Sequence, residues 1–405
     1  EVKKVTDYAT VKTMKKDAAV AAGLYQVIGA DIDDPYMEEL KKLVLHQDCI
    51  DKVGADMKIV YTPIHGTGVK LVPAALKAYG FTNIIHVPEQ DVVSGDFPTV
   101  ISPNPEEPAA LAMAVEKAKE TDAELVMASD PDADRVGAAV KNNEGEWVLL
   151  NGNQTALMFV YYLITRWKEL GKINGKEYIV KTIVTTETIK TIAERNGVEM
   201  YDVYTGFKWI ANVMRENEGK KNYIGGGEES YGFLCEDFVR DKDAVSACVI
   251  LAEIAAWAKD QGLSLYQLLQ KIYVEYGFSK EKGISVVKKG KSGAEEIEAM
   301  MKKFRENPLT EIAGSKVTYF YDYSTLKGKD YAENETVTLD MPTTSNVLQY
   351  FTEDNTKVSI RPSGTEPKIK FYCEVHSKVK SIDELPEAEK AAEEKINQIK
   401  ASLGI

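Results

Sequence analysis

Three carboxylates recur at every second position in residues 130–135, which read Asp-Pro-Asp-Ala-Asp-Arg and follow a short apolar run. Alternate residues of an extended segment share one face, so Asp130, Asp132 and Asp134 are predicted to converge on one point. Grouped carboxylates repel one another unless a cation lies among them, and hard oxygen ligands favour Mg²⁺ or Ca²⁺. Because Arg135 follows directly, we expect a divalent-metal site with a phosphate beside it.

Other interpretations of this segment start from the same residues. An EF-hand loop also begins Asp-x-Asp-x-Asp, but it needs Gly at its sixth position and Glu at its twelfth, where this chain has Arg135 and Lys141. The form Asp-x-Asp-x-Val, which begins at Asp132, resembles an aspartate-nucleophile phosphatase loop. A solvated acidic turn is the third interpretation. The EF-hand is excluded, and the other two stay open on these residues alone.

The length and charge of the chain limit its class. A chain of 405 residues is too long for one compact core and predicts two to four domains. The formal net charge of −13 argues against a general nucleic-acid-binding protein, because such proteins present basic surfaces to the phosphate backbone. An enzyme for anionic substrates would therefore need its positive charge concentrated in a few loops.

Cysteine spacing and apolar segments bear on location. The four cysteines lie far apart without a C-x-x-C pair, which indicates neither a disulfide framework nor a zinc site and fits a reducing cytosol. The longest apolar stretch, 247–258, is interrupted by Glu253 and is too short to span a bilayer, and residues 1–5 do not resemble a signal peptide. We expect a cytoplasmic protein with no membrane and no nucleic acid as partner. The oligomeric state is left open.

Helix and strand patterns alternate over the first two thirds of the chain and change after Gly277. Such alternation indicates parallel strands with helices on both faces of a sheet, whereas the last third predicts short strands and a closing helix over 386–403. We predict an α/β fold of two three-layer αβα mixed-sheet domains, at 28–150 and 151–277, followed by a C-terminal α+β domain at 278–405. The first predicted helix, over 36–46, begins directly after a proline, which is tolerated at a helix start.

A loop rich in hydrogen-bond donors, residues 361–368, lies between two predicted strands of the last domain and reads Arg-Pro-Ser-Gly-Thr-Glu-Pro-Lys. Arg361 offers a bidentate fork for a phosphate, and Gly364 would let backbone N–H groups approach an anion closely. Hydroxyls and further positive charge come from the neighbouring side chains, namely Ser363, Thr365, Lys368 and Lys370. We interpret the loop as an anion cradle, with an ordinary hairpin turn as the alternative.

A glycine-rich segment, residues 225–232, reads Gly-Gly-Gly-Glu-Glu-Ser-Tyr-Gly and follows a strand-like run. The glycines are predicted to let the chain turn sharply and to present Glu228 and Ser230 at a strand end, where ligands of α/β sheets collect. Carboxylates and hydroxyls suit sugar hydroxyls as hydrogen-bond partners. The segment is therefore a candidate sugar-binding loop.

Two further loops meet the start of a predicted helix. Lys242 precedes the long helix at 244–258, whose dipole would oppose the lysine charge and lower its pKa toward the range of proton transfer. A solvated lysine at a helix start is the alternative. The loop at 204–208, Tyr-Thr-Gly-Phe-Lys, leaves backbone N–H groups free at the next helix start. His65-Gly-Thr-Gly lacks the third glycine of a dinucleotide loop, so we predict a tight structural turn there.

Taken together, these motifs resemble those of the α-D-phosphohexomutases, the phosphoglucomutase and phosphomannomutase group. The likeness covers nearly the whole chain in the family's order. It implies a heart-shaped enzyme of four domains that encloses a phosphosugar, with Mg²⁺ held by Asp130, Asp132 and Asp134. It also implies a set of substrate-binding residues: Thr205, Gly206, Lys208, Glu228, Ser230, Arg361, Ser363, Gly364, Thr365 and Lys370. Lys242 corresponds to the lysine regarded as a general acid or base, and Arg135 lies beside the reacting phosphate.

The resemblance has one large gap. The family's phosphorylated serine lies in a Thr-Ala-Ser-His-Asn-Pro loop of its first domain, and residues 1–405 contain no Ser-His pair. We expect that residues 1–27 are the tail of a first domain that is missing, and that the chain alone is inactive. The Gly-Glu-Glu-Ser form is most like that of phosphoglucomutases.

The resemblance implies the interconversion of glucose 1-phosphate and glucose 6-phosphate through a phosphoserine and a bisphosphosugar, with glucose 1,6-bisphosphate as activator and intermediate. A phosphomannomutase or a phosphopentomutase of the same family is the first alternative. A phosphatase with Asp132 as nucleophile, or a non-catalytic phosphosugar-binding protein, is a more distant one.

Overall fold

The structure, a computed structural model, describes residues 2–288, 290–364 and 367–405, without the side chains of residues 290 and 291. The chain forms two compact units, Glu1–Lys42 and Leu43–Ile405. The smaller unit contains two short 3-10 turns and two helices, α1 (Lys16–Ala21) and α2 (Ala30–Lys41).

Helix α2 differs from its prediction. It begins at Ala30 and contains Pro35, whereas the sequence pattern placed the helix over 36–46. A proline early in a helix removes only one backbone bond, and the run Asp31–Asp34 before it extends the helix toward its N-terminus. The chain from Leu43 to His46 is not helical.

The first sheet of the larger unit is mixed. Its strands lie in the order β2-β1-β3-β4-β5, with β1 parallel to β2 and β3, and β4 and β5 antiparallel. The strands are β1 (Ile59–Thr62), β2 (Ile84–His86), β3 (Leu125–Ser129), β4 (Val136–Lys141) and β5 (Trp147–Leu150). The helices of this part are α3 (Gln47–Val53), α4 (Gly68–Tyr79) and α5 (Pro108–Thr121). Helix α5 packs against β1 and β3, where a core of buried aliphatic side chains forms.

The second sheet has the order β7-β6-β8-β9, in which only the pairing of β8 with β9 is antiparallel. Its strands are β6 (Glu177–Thr182), β7 (Glu199–Val203), β8 (Asn222–Gly227) and β9 (Phe233–Cys235). The accompanying helices are α6 (Gly152–Glu169), α7 (Thr188–Arg195) and α8 (Phe207–Asn217). Both mixed sheets with flanking helices agree with the predicted αβα class.

Helix α9 (Ala244–Asp260) joins the first two sheets, since it packs against β3 and β4 of one and β9 of the other. Every residue from Ala244 to Ala258 is buried, as expected for a helix that is apolar on all sides. Its one buried acid, Glu253, accepts hydrogen bonds from the backbone N–H groups of Leu45 and His46 and from the hydroxyl of Tyr162. Helix α10 (Leu265–Tyr276) follows.

The third sheet is antiparallel throughout, which confirms the predicted α+β class. Its strands follow the order β10-β17-β16-β15-β12-β13-β14, with β11 beside β12. They are β10 (Phe278–Val287), β11 (Glu311–Ile312), β12 (Ser315–Asp322), β13 (Lys327–Asp330), β14 (Glu335–Thr338), β15 (Leu348–Thr352), β16 (Lys357–Pro362) and β17 (Lys368–Ser377). Two helices complete it, α11 (Gly290–Glu306) and α12 (Leu385–Leu403), the latter packed on β10 and β17. Among the residues that the structure describes, no helix combines the length and apolar character needed to cross a membrane.

The glycine run at 225–227 is strand, which corrects the predicted sharp turn. These residues end β8, and they are buried. A Cβ added at Gly226 would lie 2.3 Å from the carbonyl oxygen of Val180, and one at Gly227 would lie 2.5 Å from the ring of Phe233. Glycine is therefore needed for the close approach of neighbouring groups, which places the following loop at the end of the sheet.

We expect Gly226→Ala to lower the free energy of unfolding by roughly 1–3 kcal/mol, because an added methyl group forces the backbone of β6 away. Urea denaturation followed by circular dichroism measures this change. Gly283→Ala in β10, where a Cβ meets nothing within 4 Å, is the matched strand control and should change stability by about 0.5 kcal/mol or less. Equal effects of the two substitutions would contradict this explanation.

Candidate active site

The three aspartates lie on a tight turn between β3 and β4. The backbone N–H of Ala133 donates to the carbonyl of Asp130 at 3.0 Å, and Ala133 has φ +58°. The side-chain Oδ1 of Asp130 accepts from the N–H groups of Asp134 and Arg135, both at 3.0 Å. Carboxylate oxygens of Asp130, Asp132 and Asp134 lie within 4.8 Å of one another. The side chains converge as predicted, but a turn rather than an extended backbone brings them together.

The electrostatics of this turn suit a cation. Burial raises the pKa of Asp130 to about 6, and the neighbouring charges of Asp134 and Asp132 add to this, although two backbone N–H groups act in the opposite direction. Oδ1 of Asp134 and Nε of Arg135 are buried and have no hydrogen-bond partner among the described residues. Three carboxylates with an unsatisfied oxygen form a donor set that fits Mg²⁺.

A second loop, residues 65–68, packs against the turn at 130–135, which is called the metal turn below. Thr67 donates from its N–H, at 2.8 Å, and from its hydroxyl, at 3.1 Å, to the carbonyl of Pro131. A Cβ at Gly66 would lie 2.4 Å from Cα of Pro131, so only glycine fits. The ring of His65 is buried between the carbonyl of Val92 and the hydroxyl of Thr99, each at 2.8 Å. The predicted structural role of this loop is confirmed, and its target, the metal turn, was not foreseen.

The side chain of Lys242 also contacts the metal turn. Its Nζ lies 2.5 Å from Oδ2 of Asp134, and a Cβ at Gly232 would lie 2.4 Å from its side chain. The predicted lowering of the pKa of Lys242 is wrong. Burial favours the neutral amine, but the hydrogen bond and charge of Asp134 outweigh it and raise the pKa. The helix start is instead capped by Asp243, whose side chain accepts from the N–H of Val245 at 2.9 Å.

Backbone hydrogen bonds join the metal turn to the candidate sugar loop. Arg135 and Gly232 form an isolated antiparallel bridge, and the N–H of Val136 donates to the carbonyl of Tyr231 at 3.0 Å. Nε of Arg135 lies 3.5 Å from Oδ2 of Asp130. Arg135 is therefore joined to the loop at 227–232 through its backbone, and its side chain lies beside the carboxylates of Asp130 and Asp134.

Glu228 meets the loop at 204–208. Its Oε1 accepts from the N–H of Gly206 at 2.7 Å, and Glu228 is buried. Gly206 has φ +109°, which requires glycine, and Thr205 precedes it at the start of α8. Lys208 is exposed on the first turn of that helix, and its Nζ lies 5.0 Å from the ring centre of Trp209. The structure thus brings Thr205, Gly206 and Glu228 together, and places Lys208 beside them in sequence.

Ser230 and Lys370 line one cavity of about 150 Å³, although the two come from different sheets. Its wall includes Tyr372 and a residue that the sequence motif did not single out, Glu229. Oε2 of Glu229 accepts from the hydroxyl of Thr182 at 3.0 Å, and burial together with the charge of Glu228 raises the pKa of Glu229. The only signal for Glu229 in the sequence was its position between Glu228 and Ser230.

The candidate phosphate loop connects β16 to β17. Arg361 pairs with Lys370 across the two strands, and the N–H of Ser363 donates to the carbonyl of Lys368 at 2.7 Å. Gly364 is exposed. Thr365, the remaining candidate of this loop, lies outside the described residues. The two cations Arg361 and Lys370 are thus neighbours on one hairpin.

Comparisons with known proteins agree with this arrangement. Three family profiles match: the α/β/α domain II of phosphoglucomutase/phosphomannomutase at 34–145, domain III at 151–276 and the C-terminal domain at 286–392. A phosphoglucomutase of Staphylococcus haemolyticus is 34% identical over 85% of this chain, and one of Staphylococcus aureus is 37% identical over 84%. The chain spans 61% and 60% of their lengths.

Solved structures share the fold. The open form of the Paramecium phosphoprotein parafusin, described as a phosphoglucomutase, has a TM-score of 0.60 at 17% identity and covers 86% of this chain and 58% of its own. A Thermus thermophilus protein described as a phosphomannomutase has a TM-score of 0.59 at 20% identity, over 89% of this chain and 66% of its own. Three family domains in order, each containing one of the loops described above, show that the chain belongs to the phosphoglucomutase/phosphomannomutase family.

Asp132→Asn should weaken Mg²⁺ binding by roughly tenfold or more, because one charged oxygen ligand becomes a neutral amide. Folding should be unaffected, since Asp132 is exposed. Isothermal titration with Mg²⁺ gives the affinity, and Asp56→Asn, an exposed aspartate outside the turn, is the control. An unchanged Mg²⁺ affinity in Asp132→Asn would contradict the assignment.

Proposed function

We propose that this chain forms the metal-, sugar- and phosphate-binding part of a phosphoglucomutase, which interconverts glucose 1-phosphate and glucose 6-phosphate through a phosphoserine and a bisphosphosugar. The observation that carries the proposal is the direct bonding of the carboxylate turn to the sugar loop through Arg135 and Gly232. The relatives named phosphoglucomutases, at 34% and 37% identity, support the choice of sugar.

Asp130, Asp132 and Asp134 would hold Mg²⁺, which when bound neutralises charge on a phosphoserine and on a phosphoryl group in transfer. Arg135 adds a fixed positive charge on the side of the sugar loop. Lys242 holds the carboxylate of Asp134 in place through their ion pair. A direct part for Lys242 in proton transfer stays a prediction from the family resemblance.

The substrate would lie between the two remaining loops. Glu228 and Ser230, with Thr205, Gly206 and Lys208 nearby, bind sugar hydroxyls. The hairpin loop binds the phosphate that is not transferred, through its motif residues Arg361, Ser363, Gly364, Thr365 and Lys370. A bisphosphosugar must turn around so that its other phosphate faces the serine, and the hairpin loop would accept the phosphate from either end of the sugar.

The serine itself must come from outside residues 1–405, because they contain no Ser-His pair of the kind that the family motif requires. Glucose 1,6-bisphosphate would act as activator by transferring one phosphoryl group to that serine hydroxyl, which leaves a glucose monophosphate. The four cysteines are free thiols, which fits a reaction in the reducing cytoplasm.

Residues 1–405 alone should show no phosphoglucomutase turnover with Mg²⁺ and glucose 1,6-bisphosphate, because no phosphoryl carrier is present. Addition of a family first domain containing the Thr-Ala-Ser-His-Asn-Pro loop should restore isomerisation of glucose 1-phosphate, measured by coupled oxidation of glucose 6-phosphate. The same domain with Ser→Ala is the control and should restore nothing. Turnover by the purified 405 residues would overturn the mechanism.

A panel of sugar phosphates should distinguish the role of the phosphate loop from that of the sugar loop in the reconstituted enzyme. Arg361→Ala should raise KM equally for glucose, mannose and ribose phosphates, because a charge-assisted contact of about 1.5–3 kcal/mol to phosphate is lost. Glu228→Ala should instead reduce discrimination among these sugars. Arg215→Ala, an exposed arginine at the end of α8, should leave KM unchanged.

The same panel tests the alternatives. Preference for mannose or ribose phosphates would replace the proposal by a phosphomannomutase or a phosphopentomutase. Release of inorganic phosphate with an aspartyl-phosphate on Asp132 would indicate a phosphatase. Binding of phosphosugars without any turnover in the reconstituted protein would indicate a binding protein.

A further inference from the structure

A buried set of ion pairs joins the second sheet to the third. Oε1 of Glu187, just before α7, lies 2.9 Å from Nζ of Lys181 on β6 and 2.6 Å from Nζ of Lys357 on β16. Both lysine side chains are almost fully buried, at 1% and 2% exposure. One carboxylate oxygen is thus shared by a cation from each sheet.

A second carboxylate closes the set from the side of the third sheet. Glu374 on β17 accepts from the hydroxyl of Thr186 at 3.0 Å and from the backbone N–H of Glu187 at 2.6 Å. It also pairs with Lys357 at 2.9 Å and with His376 at 2.7 Å. The contacts of Glu374 with Thr186 and Glu187 join β17 of the third sheet to the segment that follows β6 of the second sheet.

The buried carboxylates and lysines of this set stabilise one another's charged forms. Burial by itself would raise the pKa of Glu187, but the charges of Lys181 and Lys357 lower it to about 2. For Lys357, burial favours the neutral amine, while Glu187 and Glu374 raise its pKa. Lys181 also pairs with Asp202 at 2.6 Å, and Lys357 with Glu374, so Glu187 is the carboxylate that the two buried lysines share. Buried ion pairs tolerate little change in geometry, because a displaced partner leaves charge poorly compensated in a medium of low dielectric. The set therefore favours one relative placement of the two sheets.

The same strands end in the substrate loops. Lys357 lies four residues before Arg361 on β16, and Glu374 lies four residues after Lys370 on β17, a strand distance of about 13 Å in each case. In the second sheet, Thr182 directly follows Lys181 and donates to Glu229 of the sugar loop. Lys357 is thus connected to the phosphate loop along β16. Lys181 is connected to the sugar loop through the hydroxyl of the next residue, Thr182.

We infer that Glu187 is a positioning residue that sets the distance between the sugar loop and the phosphate loop, so that one hexose phosphate contacts both at once. The inference rests on the proposed function of these two loops. A ligand that spans them, such as glucose 1-phosphate, depends on that distance. Inorganic phosphate, which needs only the hairpin loop at 361–370, does not.

The test is isothermal titration of residues 1–405 with glucose 1-phosphate and, separately, with inorganic phosphate. Glu187→Gln keeps the size of the side chain and removes its charge. It should lower the affinity for glucose 1-phosphate about tenfold, because the two loops no longer hold one spacing, and leave the affinity for inorganic phosphate unchanged. Hydrogen exchange at the amide of residue 187, which donates to Glu374, should rise by at least tenfold.

Glu253→Gln is the matched control, because it removes another buried carboxylate of this unit, between α9 and the chain at 45–46. It should lower the melting temperature without changing either affinity or the exchange at residue 187. Thr186→Val removes the hydroxyl bond to Glu374, together with longer contacts to the hydroxyl of Ser279 and the N–H of Thr188, and leaves every charge of the set in place. It covers the case in which Glu187→Gln does not fold, and it should act in the same direction with a smaller loss.

The outcomes separate the two ideas. A folded Glu187→Gln, or Thr186→Val in its place, with wild-type affinity for glucose 1-phosphate would overturn the positioning role alone. Equal losses for glucose 1-phosphate and inorganic phosphate would overturn it as well, since they would show a general structural defect. A wild-type chain that binds glucose 1-phosphate no more tightly than inorganic phosphate would overturn the proposed function, and the inference with it.

Discussion

The concentration of negative charge on one turn is the constraint on which the surrounding structure depends. Three carboxylates within 4.8 Å repel one another, and each neighbouring element offsets part of that cost. Two backbone N–H groups bind Asp130, Lys242 pairs with Asp134, and Arg135 lies beside both aspartates. The turn is thereby kept folded and still retains an unsatisfied oxygen for a cation.

This constraint explains several features of the packing. The loop at 65–68 supports the turn through Pro131, and its glycines are required because a side chain would collide there. The glycine at 232 leaves space for Lys242, and α9, whose start follows that lysine, joins the two mixed sheets. The positions of the metal turn, the loop at 227–232 and α9 therefore depend on one another. The hairpin loop at 361–368 is joined to them through the buried ion pairs of Glu187.

Sequence patterns identified the elements with strong apolar periodicity and failed for those without it. The long helix over 244–258 and the closing helix were predicted almost to the residue, because the first is apolar on all sides and the second has an apolar face. Strands β4, β5 and β9 were not predicted, because their positions are decided by antiparallel pairing, of β4 with β3, of β5 with β4 and of β9 with β8. Strand β10 was not predicted because three of its ten residues, Lys280, Glu281 and Lys282, carry charge, and its position is decided by pairing along all of β17.

The residue types and spacings by themselves determined the chemical inventory: three carboxylates, a glycine-rich loop with Glu and Ser, and an arginine hairpin, in an order that indicated the family. Only the tertiary structure decided how those groups act on one another. The pairing of Lys242 with Asp134 reversed the expected direction of its pKa shift, and Glu187, which no motif marks, lies between two lysines distant from each other in sequence. The reason is that electrostatic energy depends on distance and burial in space, and neither can be read from positions along the chain.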